Sequence, residues 1–373
     1  MPGTKGHASP LPNLAALKKR LLLLPAAVLL VACATPGDQS AVSQPGETAA
    51  PPSPAVTTPV READSSAQQA LQRLVALQDR LYRVAGPLLV NNAELCKRNA
   101  RNLLGFTAKT RHSYSAEYAD AAQKVLGLGE RLQVMGVLAG GGAARAGLKR
   151  GDILVAVEGK SMPQGEDAER DAAAILVPLV TGRTTVNLTI QRGGANMALN
   201  VPLTYACAYG IELGNADNVA AYADGYRVLV TRGMMNATQT DEELATVLAK
   251  EMAHNMLAHA ARRKQSATIG GIIDNLVRAR PDLSSMSGMA GVKPMPQDMD
   301  AMADKLSLYL LARAGYDINH AVPFWQRIAT QYPATVLNGY TALHPATAYR
   351  VSAMEKTIKE IKVKQAAKRP LRP

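Results

Sequence analysis

A chain of 373 residues, 47% of them hydrophobic, is long enough for two globular domains with extensions, and its composition excludes a membrane-embedded body. The net charge of +12 comes from Lys and Arg spread along the chain, with a cluster at 362–372. No helix-turn-helix, zinc knuckle or aromatic-studded strand pair accompanies them, which argues against a nucleic-acid partner.

Lys18, Lys19 and Arg20 precede an apolar run at 21–31 that is too short to span a bilayer. This is the shape of a secretory signal, placed at 1–33. Leu30-Val31-Ala32-Cys33 resembles a bacterial lipobox, which implies that Cys33 is lipidated and anchors the protein to a membrane. Ala rather than Asp at position 34 implies, by analogy with lipoprotein sorting, the periplasmic side of the outer membrane. The alternative is an ordinary signal with a buried Cys.

Residues 34–63 are rich in Ala, Pro, Ser and Thr and read as a disordered tether. Residues 64–103 form an N-terminal helical segment. Ser65 or Ser66 caps its helix, Leu71, Leu74, Val75, Leu81 and Tyr82 share one face, and Gly86-Pro87 is expected to end it. With Cys33 lipidated, Cys96 and Cys207 remain as an even pair in an oxidising compartment, and a disulfide between them is expected. Two separate buried thiols are the alternative.

Between these cysteines, 132–138 alternates as a strand, and Gly140-Gly141-Gly142 opens a short helix ending at Leu148. Gly151 and Gly159 bound a strand whose Ile153, Val155 and Val157 form a β-branched stripe. A helix is expected at 166–177, closed by Pro178, and a hairpin turning at Gly193-Gly194 between alternating strands. The stretch from Ala143-Ala144-Arg145-Ala146-Gly147-Leu148 through Gly151-Asp152-Ile153 to Gly159 resembles bacterial PDZ domains, placed at 104–204. Gly127-Leu128-Gly129 partly matches the loop that such domains use to hold a peptide carboxylate. Peptide binding and a purely structural role both remain open.

Residues 241–261 read as one helix of about six turns, with Thr240 and Glu243 as a capping box. It contains Lys250-Glu251-Met252-Ala253-His254, which is H-E-x-x-H with Lys in place of the first His. In that motif two His at i and i+4 lie about 40° apart and ligate one zinc ion, while the Glu acts as base. The run continues as Asn255 to His259. Downstream stand Asp300-Ala301-Met302-Ala303-Asp304, Leu311, Ala314-Gly315-Tyr316-Asp317, His344-Pro345 and Arg350. Upstream stand Ala223-Asp224-Gly225 and Val230-Thr231-Arg232-Gly233-Met234.

In this order these pieces resemble metallopeptidase family 48, the gluzincins that include the CAAX prenyl proteases. The resemblance implies an α+β chain: a small β-rich PDZ-like domain and a mainly helical zincin-type domain at 205–364 with an edge β-hairpin, then a basic tail at 365–373. It implies zinc as cofactor, His254 and Asp300 as ligands, Glu251 as base and His344 as a catalytic or supporting group. Asp304 and Arg350 would pair beside them. Asp300 is shorter than the family's Glu by one methylene, roughly 1.5 Å. Lys250 replaces the first ligand, and deprotonating a lysine at neutral pH costs about 4.6 kcal/mol. Zinc is therefore expected to bind poorly.

As an ammonium, Lys250 can instead pair with Glu251 or Asp300; a solvated side chain is the alternative. His259, about 140° from His254 on a continuous helix, is expected to be structural. His320 has no supporting pattern, and 269–291 reads as a mobile loop over the cleft, with a poorly ordered stretch as the alternative. Two functions follow: a pseudoenzyme with weak or lost proteolysis that binds extended polypeptides or envelope partners, or an active zinc endopeptidase acting on misfolded or envelope proteins.

Overall fold

Helix α1, Pro59–Asn91, opens the computed structural model, which describes residues 59–259, 294–335 and 338–373. It begins before the expected cap and passes through Gly86-Pro87 to Asn91. A proline inside a helix removes one backbone bond and costs about 3 kcal/mol in isolation. Here Leu88 and Leu89, just past it, are buried in the main core. The Tyr316 hydroxyl donates to the carbonyl of Val84, one turn before the proline, at 2.9 Å. Burial and this bond outweigh the local preference to stop.

The two halves of α1 serve different cores. Leu71 and Val75 pack with Tyr118, Ala122, Leu128 and Met135, whereas Leu81, Val84, Ala85 and Leu88 belong to the main core. Arg80 holds the start of a later helix, donating to Asp241 at 3.1 Å and to the carbonyls of Met235 and Thr238, both at 3.1 Å.

Strand β1 (Ala100–Leu103) pairs antiparallel with β8 (Thr204–Cys207), so the chain enters and leaves the middle region side by side. A disulfide joins Cys96 to Cys207 at this junction, with their Cα atoms 5.5 Å apart. Between them lie β2 (Phe106–Lys109), α2 (Ala116–Leu126), β3 (Gln133–Val137), α3 (Gly142–Arg145), β4 (Ile153–Val157), β5 (Lys160–Ser161), α4 (Ala168–Leu176), β6 (Thr185–Arg192) and β7 (Ala195–Pro202). The sheet order is β2-β3-β4-β6-β7, with β5 paired to β4.

Two local expectations need correction here. In β4 the buried residues are Leu154 and Val157, because the register against β6 shifts between Leu154 and Ala156. That irregularity breaks the simple alternation of Ile153, Val155 and Val157. Gly127 is the left-handed cap of α2 (φ 68°), and Leu128 is fully buried against α1 and α2. This turn therefore closes a helix. The glycine-rich turn is needed for close approach: a Cβ at Gly142 would lie 1.6 Å from the Pro202 carbonyl oxygen.

The following strands are β9 (Gly210–Gly214), β10 (Ala221–Ala223) and β11 (Arg227–Thr231). β10 and β11 form the antiparallel hairpin, and β9 pairs parallel with β11, leaving β11 in the middle. Helix α5 (Arg232–Ala237) leads to α6, Asp241–Met256, whose Thr240 hydroxyl caps Glu243 N at 3.2 Å. Asn255 on α6 clamps the hairpin, accepting from Gly225 N at 2.5 Å and donating to the Arg227 carbonyl at 2.9 Å.

α6 stops sooner than expected. Ala258 takes a left-handed φ of 56°, which turns the chain out of the helix and sends His259 back toward it. α7 (Gln297–Ala314) packs on α6, followed by α8 (Ala321–Gln331), α9 (Gly339–Leu343) and α10 (Ala348–Ala366). The basic end folds back: Leu371 packs against the main core, and Arg313 donates to its carbonyl. Residues 1–58, including Cys33, and 269–291 lie outside the described residues. Among the described residues no helix is long and apolar enough to cross a membrane.

Candidate metal centre

One buried face of α6 carries Lys250, Glu251 and His254, all at most 2% exposed. The i, i+3 and i, i+4 spacings put them within about one turn of each other. α7 brings Asp300 and Asp304 to the same place, the residue that caps the end of α9 is His344, and α10 brings Arg350.

The Lys250 ammonium lies 2.9 Å from Asp300 Oδ1 and 2.9 Å from Asp304 Oδ1. It also sits 5.4 Å from the centre of the Trp325 ring, within cation–π range. Arg350 grips Asp304 with Nε at 2.7 Å and Nη2 at 3.0 Å, and its Nη1 lies 3.3 Å from Asp300 Oδ2. Two cations and two carboxylates thus neutralise one another out of water. This complementarity makes each member hard to remove singly.

Of the two partners anticipated for Lys250, the ammonium takes Asp300, adds Asp304 and makes no hydrogen bond to Glu251. Full burial rules out a solvated lysine. Burial alone pushes the Asp300 carboxyl up, but His344 and Lys250 together hold it far below the usual carboxylate range. Asp304 is likewise lowered, with burial opposed first by Lys250 and then by Arg350.

His344 Nδ1 lies 2.8 Å from Asp300 Oδ1. Burial pushes this imidazole down to about 3, so it is neutral near pH 7. Its Nδ1–H then donates to the carboxylate, leaving a lone pair on Nε2. Burial also lowers His254. His254 Nδ1 meets His259 Nδ1 at 2.8 Å, and the rings cross edge-on at 5.0 Å between centroids. The 140° separation estimated for His259 fails because the helix ends before it. This residue touches His254 directly.

Glu251 is pushed up to about 8 by burial, against the lowering effects of Lys250 and the Tyr340 bond. The Tyr340 hydroxyl donates to Glu251 Oε1 at 3.0 Å. Sequence reasoning missed Tyr340, which carried no motif, and Trp325, the one tryptophan in the chain, which stacks on it at 5.4 Å.

Zinc bound as the resemblance implies needs a lone pair at position 250 and a free carboxylate at 300. Lys250 offers an ammonium held by two carboxylates, and Asp300 Oδ1 is shared by Lys250 and His344. These residues do not fit the ion in that arrangement. What the cleft presents is the Glu251 carboxyl, two neutral imidazoles and a neutralised ion cluster behind them.

Comparison with known proteins agrees with the geometry. Residues 186–358 match Peptidase family M48, and residues 133–192 match the PDZ domain. The mitochondrial metalloendopeptidase OMA1 of Schizosaccharomyces pombe is 27% identical over 147 residues, 38% of this chain and 44% of that protein. The putative beta-barrel assembly-enhancing protease of Vibrio cholerae is 31% identical over 130 residues, 31% of this chain and 27% of that protein. The beta-barrel assembly-enhancing protease of Yersinia pestis is 26% identical over 135 residues, 32% of this chain and 28% of that protein. The chain therefore spans less than half the length of these relatives. The chain thus resembles peptidase family M48 across residues 186–358, and a PDZ domain across residues 133–192 that shares strand β6 with that match.

Proposed function

We propose that this chain is an envelope protein whose peptidase-family cleft has weak or lost proteolysis and binds extended polypeptides. The observation that carries this reading is the Lys250 ammonium, fixed between Asp300 and Asp304 where the family's first imidazole ligand stands. It keeps the ion cluster neutral and the helices together without a metal in that arrangement. The PDZ sheet supports the binding half of the reading. Among the described residues β2 pairs only with β3, so one edge can accept an added strand. The test is casein: the full chain with added zinc should bind unfolded casein, read by fluorescence anisotropy, and leave it uncut. Zinc-dependent cleavage lost on Glu251→Gln would establish the active endopeptidase instead.

The same reading places the protein at the periplasmic side of the outer membrane through a lipid on Cys33. The lipobox-like Leu30-Val31-Ala32-Cys33 and the names of the bacterial relatives support it. Mass spectrometry of detergent-extracted protein should show an acylated N-terminal Cys33. An unmodified mature N-terminus beyond that position would sink the anchor.

A further inference from the structure

We propose that Glu251, His254 and His344 form a site for one divalent transition-metal ion, displaced from the position that Lys250 blocks. Candidate ligand atoms of the three lie within 4.8 Å of one another, and all three residues are buried. Donor atoms about 2.0–2.2 Å from a shared ion stand roughly 3–4 Å apart, so small side-chain rotations close the set. Glu251 and His254 are three residues apart on α6, a spacing that also projects carboxylate and imidazole ligands together in helical di-metal proteins. His344 arrives from the segment after α9, so two separate stretches of chain supply the donors.

The second observation is that each donor is oriented by its own partner. Tyr340 donates to Glu251 Oε1 at 3.0 Å, which leaves Oε2 for an ion. Asp300 takes the proton of His344 Nδ1 at 2.8 Å, which leaves the Nε2 lone pair. His259 meets Nδ1 of His254 at 2.8 Å, and when His254 is the donor in that pair its Nε2 also carries a lone pair. That Nε2 makes no well-formed hydrogen bond in the protein; an Asp300 carboxylate oxygen lies 3.4 Å away. Partners of this kind fix the tautomer and ring orientation of metal-bound histidines.

Charge allows the ion as well. Lys250 and Arg350 are matched by Asp300 and Asp304, so the cation behind the site is already neutralised. One carboxylate and two imidazoles suit Zn²⁺, and also Co²⁺ or Ni²⁺. The set has the same composition as a gluzincin site, two His and one Glu, but is drawn from different positions. As a ligand, Glu251 is no longer available as a base, so the ion is held without hydrolytic work. The inference does not rest on polypeptide binding, and its failure is read from metal content while the failure of the proposed function is read from casein.

The experiment titrates metal-free full-length protein with Co²⁺, following ligand-field absorption and bound metal by mass spectrometry. The expected result is one ion per chain. His344→Gln and Glu251→Gln should each weaken binding by more than the roughly 10- to 100-fold typical of losing an outer partner. His259→Ala should fall inside that range. Thermal unfolding of the metal-free variants separates loss of a ligand from loss of the fold. X-ray absorption of the wild type with Zn²⁺ needs no variant and should show two imidazoles in an N/O shell. No metal uptake by the wild type would overturn the proposal. So would uptake indifferent to both His344→Gln and Glu251→Gln, or a shell containing fewer than two imidazoles.

Discussion

Replacing Lys250 with methionine should destabilise the metal-free protein by about 3–5 kcal/mol at neutral pH, the usual effect of breaking a buried ion pair by removing one partner. The side chain is fully buried, so solvent cannot take over its role. Methionine has a similar shape, and the loss is mainly one of charge. Asp300 and Asp304 would be left with Arg350 as their one cationic partner. Asp300→Asn added to Lys250→Met restores the balance at one charge of each sign. The double variant should therefore be more stable than Lys250→Met alone, a non-additivity expected of groups in one network.

The pH dependence has a definite sign. Both aspartates have folded pKa values below their unfolded value near 3.9. Stability from such groups is present above the unfolded value and is lost as pH falls below it. Without Lys250 the two carboxyls take up protons more readily. The gap between wild type and Lys250→Met should then be full above about pH 5 and narrow on acidification. Urea unfolding in chelator at pH 7 and pH 4 measures both effects. A loss under about 1 kcal/mol at pH 7 would show that Lys250 does not clamp the two helices.

The parts of this site that the sequence revealed are those set by local spacing. Glu251 and His254 share a helix, and helical geometry places them without knowledge of the rest of the chain. Asp304 and Arg350 could be paired because both fall on family motifs. Tyr340 could not, since its hydroxyl meets Glu251 across 89 residues of sequence with no periodic signal between them. His259 was misplaced because the angle was counted along a helix that the left-handed Ala258 interrupts. At Pro87 the local rule pointed the wrong way, because buried Leu88 and Leu89 outweigh a lost backbone bond. The strands of the PDZ region were legible from alternation between glycine turns, whereas the irregularity in β4 arises from its neighbour β6.

Lys250→His combined with Asp300→Glu should confer zinc-dependent casein cleavage well above the sum of the single variants. Histidine at 250 removes the ammonium and sets a second imidazole four residues before His254. Glutamate at 300 adds about 1.5 Å of reach. Neither change suffices alone. Lys250→His leaves a short carboxylate that is bonded to His344, and Asp300→Glu lengthens a carboxylate that is still paired with Lys250. A ligand acts only when the others are present, so the effects should multiply. Glu251 would then return from ligand to base, a role typically worth about 10²–10⁴ in rate. That change of role gives a signature beyond activity. In the double variant Glu251→Gln should abolish cleavage and leave zinc bound, whereas in the wild-type background the same substitution should release the metal. Cleavage by the wild type equal to that of the double variant would mean that Lys250 never silenced the site. Zinc bound by the double variant without cleavage would mean that the cleft has diverged beyond its ligands, and that its retained work is binding.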